Sequence, residues 1–356
     1  MLTKTSRMCI ILLGLALLAS ACGAPTSDSA SNLSSVKTYV LTHTKDLKAS
    51  ALEIQEQANN YYGLAKAANF DYAKIWQENQ TDVTRIVLES RRIFLQSNPQ
   101  YEEMKGIVAG TPSLSQYDII LDAGTSGAEG SENVAPFDLT LPDGRVLPKP
   151  GHVFLILESS LWGTNPDYIV PDVQPDLDGN GQIDFGEVLP DANVFRGAAN
   201  AFVLYATDLN KDAQAWEPTT EDAFGALIVN IPTFSDFMDS WKNSRYVLGD
   251  QSTEAEFVST SRLSDLTDNV KSWQTIYAGL SPLAQTVDTS ADAQIIKSLQ
   301  DLHDYVANLY AQEQAGKRFS PEEADTFSAE GRNRATAIAD QLAQMAAKLG
   351  ITLQNK

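Results

Sequence analysis

The sequence predicts a mainly α-helical protein, a double antiparallel helix bundle with a small β-hairpin and an EF-hand-type calcium loop inserted. Three observations predict it. Apolar residues recur at three- and four-residue spacing along most of the chain. Short breaks bearing Pro, Gly or Asp separate these stripes, as between antiparallel neighbours. One stretch, residues 122–195, is instead dense in Gly, Pro, Ser and Asp.

The N-terminus reads as an address. Lys4 and Arg7 precede an apolar run from Cys9 to Ala19, too short to span a bilayer as a mature helix. It ends in Leu18-Ala19-Ser20-Ala21-Cys22, similar to a bacterial lipobox with Ala19 in the place of the usual leucine. Residues 1–21 are therefore expected to be a lipoprotein signal peptide and Cys22 the lipidation site, with plain secretory cleavage as the alternative. Residues 22–35 read as a flexible tether rich in Ser, Ala and Asn. The expected location is extracytoplasmic, lipid-anchored to the bacterial cell membrane or outer membrane. Cys9 leaves with the signal and Cys22 carries lipid, so no cysteine remains for disulfide or thiolate chemistry.

The chain carries 26 Lys+Arg against 46 Asp+Glu, a net charge of −20. A surface this acidic repels phosphates, which argues against nucleic acid as a partner and suits cations.

Residues 36–121 form the expected first half of the bundle. Val36, Val40, Leu47, Ala51, Ile54 and Ala58 make one helical stripe. A second helix runs from about Asp71 to Leu95, and Asn98-Pro99 is expected to end it, because proline lacks an amide hydrogen and disfavours helix before it. Weaker helices follow over Tyr101–Val108 and Ser113–Leu121.

Residues 122–195 form the expected insertion. Phe137–Leu141, Pro142-Asp143-Gly144 and Arg145–Leu147 read as a hairpin, and Val153–Trp162 as a helical island. Residues 196–356 form the second half. Helices are expected over Ala198–Asp212 and Phe234–Trp241, then along the Leu263–Leu280 stripe, which Pro282 ends, and along Ile295–Leu309. Ser320-Pro321-Glu322-Glu323 is a helix start with proline at the first position, and Gly350 is placed to cap the last helix.

The strongest chemical signal is Asp176–Glu187, which fits the twelve-position calcium loop throughout. Asp176, Asp178 and Asn180 offer side-chain oxygens at positions 1, 3 and 5, and Gly181 allows the sharp turn at position 6. Gln182 contributes its carbonyl at position 7, and Ile183 is expected to pack inward at position 8. Asp184 acts through water at position 9, and Glu187 offers two oxygens at position 12. Pro166, Pro171 and Pro175 leave no room for an entering helix, so a structural calcium clamp is expected, not a switch.

Three stretches resemble the imelysin-like family, which includes iron-uptake lipoproteins. They are Lys37-Thr38-Tyr39-Val40, the signature-like segment Gly151-His152 through Glu158-Ser159-Ser160-Leu161-Trp162-Gly163, and Ser264 through Pro282. The resemblance implies a double bundle and a metal held between histidine and glutamate. Leu155 stands where the family has its histidine, three residues before Glu158. His152, six residues before Glu158, is the nearest substitute for a second metal site, and on a continuous helix the two lie roughly 120° apart. Without such a site, His152 is a capping or surface histidine and Glu158 a paired carboxylate at the core edge.

Other groups are less specific. His43 lies on the inward stripe of the first helix, as a core histidine or as a ligand with Glu89; Glu89 more simply pairs with Arg85 or Arg92. His303 sits at the edge of its stripe. Peptidase chemistry on zinc needs closely spaced histidines and a base, which three scattered histidines do not supply, so no enzyme activity is expected. Two functions remain: a surface lipoprotein binding metal ions, linked to iron uptake and stabilised by calcium, or a calcium-rigidified module that binds an envelope protein and has lost the family metal site.

Overall fold

A computed structural model of the chain describes residues 31–124, 137–254 and 256–352. The proposed signal peptide, Cys22 and most of the tether lie outside these residues.

The first helix, α1 (Leu33–Ala67), buries Val36, Val40, Leu47, Ile54 and Ala58, the stripe expected from the sequence, and starts three residues earlier. Helix α2 (Tyr72–Gly110) corrects the sequence reading, since it runs through Pro99 without ending. Proline forfeits one helical hydrogen bond, but Phe94, Tyr101 and Met104 are buried on either side of it. Apolar burial of that order, roughly 2 kcal/mol per large side chain, outweighs the lost bond. A distortion does occur in α2, at Asn79, with φ −131° and ψ 26°. A short α3 (Ser115–Asp118) passes into a π-turn over Ile119–Ala123.

The hairpin is smaller than expected: β1 (Leu139–Thr140) pairs antiparallel with β2 (Val146–Leu147), Leu139 opposite Leu147. Helix α4 (Val153–Trp162) has the expected bounds and is buried on almost every side. Helix α5 (Ala192–Ala215) starts ahead of the expected Ala198, and packs on α1. The expected division at residue 196 thus falls inside α5.

Helix α6 (Thr220–Asn230) was not legible in the sequence. Gly225 and the unbroken apolar run around it blur the helical period. Then come α7 (Phe234–Asn243) and a single turn, α8 (Arg245–Leu248). Helix α9 (Arg262–Ala284) includes Pro282 and ends two residues later than expected. The antiparallel pair α10 (Thr289–Gln314) and α11 (Pro321–Lys348) closes the fold. Ser320 and Glu323 form a reciprocal capping box, so both the amide of Ser320 and that of Glu323 are satisfied. At the other end Gly350, at φ +71°, lets Ile351 and Gly350 donate to the carbonyls of Ala346 and Ala347.

Helices α1, α2 and α5 form one group, and α7, α9, α10 and α11 another; α2 packs on α1 and α9 and so joins them. Among the described residues, no helix is long and apolar enough to cross a membrane.

Candidate functional site

The calcium-type loop hangs from a closed neck. Ile169 and Pro190 form an antiparallel bridge, Val170 donates to Leu189 at 2.9 Å, and Asp191 donates to Tyr168 at 2.9 Å. The entering segment has only a 3₁₀ turn at Pro166–Tyr168, in keeping with its prolines. Inside the loop, Asp176 Oδ1 accepts from Gly179 and Asn180 at 2.7 and 3.1 Å, and its Oδ2 accepts from Gly181 at 2.9 Å. Gly181, at φ +83°, turns the chain where a side chain would be strained. The Asn180 side chain donates to Asp178 and Asp184, each at 3.0 Å. Glu187 reaches back across the loop and accepts from Leu177 at 2.6 Å and Asp184 at 2.7 Å.

One oxygen each from Asp176, Asp178 and Glu187 lies within 4.8 Å of the others. Carboxylate oxygens so close repel unless a cation or amide hydrogens lie between them, and hard oxygen donors are what Ca²⁺ takes. One side chain departs from expectation. Ile183, expected to pack inward, is 47% exposed. Phe185 is also largely exposed, and the Arg245 guanidinium sits 3.8 Å from its ring centre.

The loop is fastened to the bundle by Arg91. This side chain donates to the carbonyls of Leu161 and Gly186 and lies over Trp162. Burial pulls its pKa down to about 10, against the pull of Glu187.

The second proposed metal site, at His152 and Glu158, is not assembled as a shared shell. His152 ends the turn before α4: its Nδ1 accepts from the Leu155 amide at 3.2 Å, and its Nε2 lies 2.8 Å from Glu256. The same Nδ1 also lies 3.3 Å from the Leu121 carbonyl. Glu158 is buried, and both its oxygens are filled by one stretch of chain. Oε2 accepts from the Phe257 amide at 2.7 Å; Oε1 accepts from the Val258 and Ser259 amides at 3.1 and 2.9 Å and from the Ser259 hydroxyl at 2.6 Å. Burial raises the Glu158 pKa, and these donors oppose the rise. Both residues border the same space, but it amounts to about 10 Å³, too little for an ion with its waters.

The other histidines are likewise apart. His43 faces Glu103 at 3.3 Å, not Glu89, and burial lowers its pKa. Glu89 pairs with Arg92 at 2.7 Å. His303 lies 3.4 Å from Asp304.

Sequence reasoning missed a charged cleft of about 280 Å³, lined among others by Lys105, Asp118, Asp122, Asp236, Glu256 and Arg262. Beneath it Glu102 and Asp265 are fully buried. Lys105 bonds to Asp122 and Arg262 to Asp265, the latter at 2.7 Å. Burial opposes ionisation of Asp122, yet Lys105, His152 and Arg262 hold its pKa down at about 2. Burial pushes the Glu102 pKa well up, with the nearby Lys105 and Arg262 opposing the rise. Two weak signals existed: Glu102 and Lys105, and Arg262 and Asp265, are each three apart on one helix. Such pairs usually decorate solvent-facing surfaces.

The fold and these sites together define a class: a helical-bundle protein with a charged interhelical cleft and an oxygen-lined loop. The imelysin (peptidase M75) family model matches residues 154–349, more than half of the sequence. This chain belongs to the imelysin family. No curated protein matches it. The matched span contains Glu158 and the whole of Asp176–Glu187, and starts two residues after His152.

Proposed function

We propose that this imelysin-family chain is an extracytoplasmic, lipid-anchored, non-catalytic binding protein whose loop Asp176–Glu187 takes a structural Ca²⁺. The convergence of Asp176, Asp178 and Glu187 oxygens within 4.8 Å carries this reading. The closed neck and the Arg91 tie favour a clamp over a switch, since neither flank is a helix that could swing. Its task is then to hold a partner, an envelope protein, on a body stiffened by calcium. Equilibrium dialysis tests the site: one Ca²⁺ per chain for the wild type, and none for Asp176→Ala with Asp178→Ala. Binding that survives this double change removes the proposal.

A second reading, iron binding linked to uptake, is favoured by one observation. The charged cleft gathers Asp118, Asp122 and Asp236 against two cations, Lys105 and Arg262. Iron there would displace Lys105 from Asp122, at the cost of a buried ion pair. It would not use Glu158, whose oxygens are already filled. Iron titration with the calcium loop saturated distinguishes the readings: stoichiometric iron lost in Asp122→Asn supports this one, and no bound iron rejects it.

A further inference from the structure

The signature glutamate has a task that metal binding does not describe. Residues 256–260 form a strap between α8 and α9, and its consecutive side chains border different spaces. Phe257 lines the charged cleft of about 280 Å³, and Val258 lines a neighbouring groove of about 710 Å³, beside Arg245 and Arg318. The strap is the wall between the two. Nothing in its own backbone keeps it there: Phe257 has φ +55°, a region that costs a bulky residue about 1 kcal/mol or more.

Two side chains at α4 hold it: His152, whose Nε2 lies 2.8 Å from Glu256, and above all Glu158. Three consecutive amides, Phe257, Val258 and Ser259, and one hydroxyl point at a single buried carboxylate, at 2.6 to 3.1 Å. The fixed Phe257 ring centre in turn lies 3.6 Å from the Arg262 guanidinium carbon, which is also 4.0 Å from the Phe237 ring centre. Arg262 thereby sits against two rings with Nη1 on Asp265 and its Nε without a hydrogen-bond partner. One carboxylate on α4 so sets the position of the cation that lines the cleft.

We infer that Glu158 is a positioning residue: it latches strap 256–260 as the wall between cleft and groove and, through Phe257, orients Arg262. The inference is independent of calcium.

The test is amide exchange and proton NMR on the purified full-length protein, with Glu158→Gln, Glu158→Asp and Ser259→Ala. Amides held by a carboxylate resonate downfield and exchange slowly. Glu158→Gln is expected to move the Phe257, Val258 and Ser259 amide signals upfield and to speed their exchange at least tenfold, with α2 and α9 unchanged. Glu158→Asp, which keeps the charge, is expected to restore part of both effects. Ser259→Ala removes one of four donors and is expected to give a smaller rise confined to the same three amides. Unchanged strap signals in Glu158→Gln overturn the inference. Should Glu158→Gln loosen every helix, Ser259→Ala decides, and no local rise there overturns it equally.

Discussion

Arg91 donates to the carbonyl of Leu161 through both Nε and Nη2, at 3.1 and 2.7 Å, which closes the last turn of α4 onto α2. Because the same guanidinium also reaches Gly186, the end of the calcium-type loop and the end of α4 share one anchor. Replacing it leaves two carbonyls without a donor in a place half shielded from water. Arg91→Met is expected to destabilise the fold by about 2–4 kcal/mol, measured by urea unfolding. It should also weaken calcium binding, although Arg91 offers no oxygen to an ion. Unaltered calcium affinity would separate the loop from α4.

Close helix contact gives a second prediction. A side chain at Gly110 on α2 would place its Cβ 2.4 Å from the Ala226 Cα on α6. Backbone cannot yield as a flexible side chain does. Gly110→Ala is expected to cost about 2–3 kcal/mol by forcing α2 and α6 apart, whereas Gly63→Ala, with open space around it, should be neutral or mildly stabilising. Differential scanning calorimetry of the two variants checks the contrast.

Acid stability gives a third. Burial raises Asp268 on α9 from 3.8 to about 6, with Lys271 opposing and Glu103 assisting. A carboxyl that binds its proton more tightly in the folded state stabilises the fold below its unfolded pKa. That stability is lost as pH rises through about 6. Asp268→Asn cannot ionise and should lack this slope. Relative to wild type the variant should gain of the order of 2–3 kcal/mol between pH 4 and 7, read from urea midpoints. Parallel curves for the two proteins would refute the assignment.

How much of this was legible in sequence follows from what each signal needs. The stripes of α1 and α10 repeat over many turns, and their buried faces agree with the sequence reading. The Val153–Trp162 island was legible because Gly163, at φ +79°, and the turn at Gly151-His152 bound it. Pro99 misled, because a local rule against proline cannot weigh the tertiary burial on both sides of it. The loop oxygens were visible because they lie within twelve consecutive residues. The charged cleft was not, since Glu102, Asp122 and Arg262 meet only through folding. Nor could Glu158 be seen as a latch, because its partners begin 99 residues away and three of them are backbone amides.

The loop carboxylates also hold amides, which sharpens what removal of each should do. Glu187 accepts from Leu177, Asp178 and Asp184, so Glu187→Ala should lower the melting temperature even in chelator, with a further loss when calcium is present. Asp178 accepts only within the exposed turn at Asn180, at 2.9 and 3.0 Å, so Asp178→Ala should act almost wholly through calcium. Equal losses in the two conditions for Asp178→Ala would place the ion elsewhere.

The most direct measurement is the melting temperature of the wild-type protein in millimolar Ca²⁺ and in chelator at matched ionic strength. Ligand at about a hundred times its dissociation constant stabilises by about 2.7 kcal/mol, a rise of about 5 °C for a protein of this size. The account predicts that rise for wild type and its absence in Asp176→Ala with Asp178→Ala. Identical melting of the wild type in both conditions would contradict it.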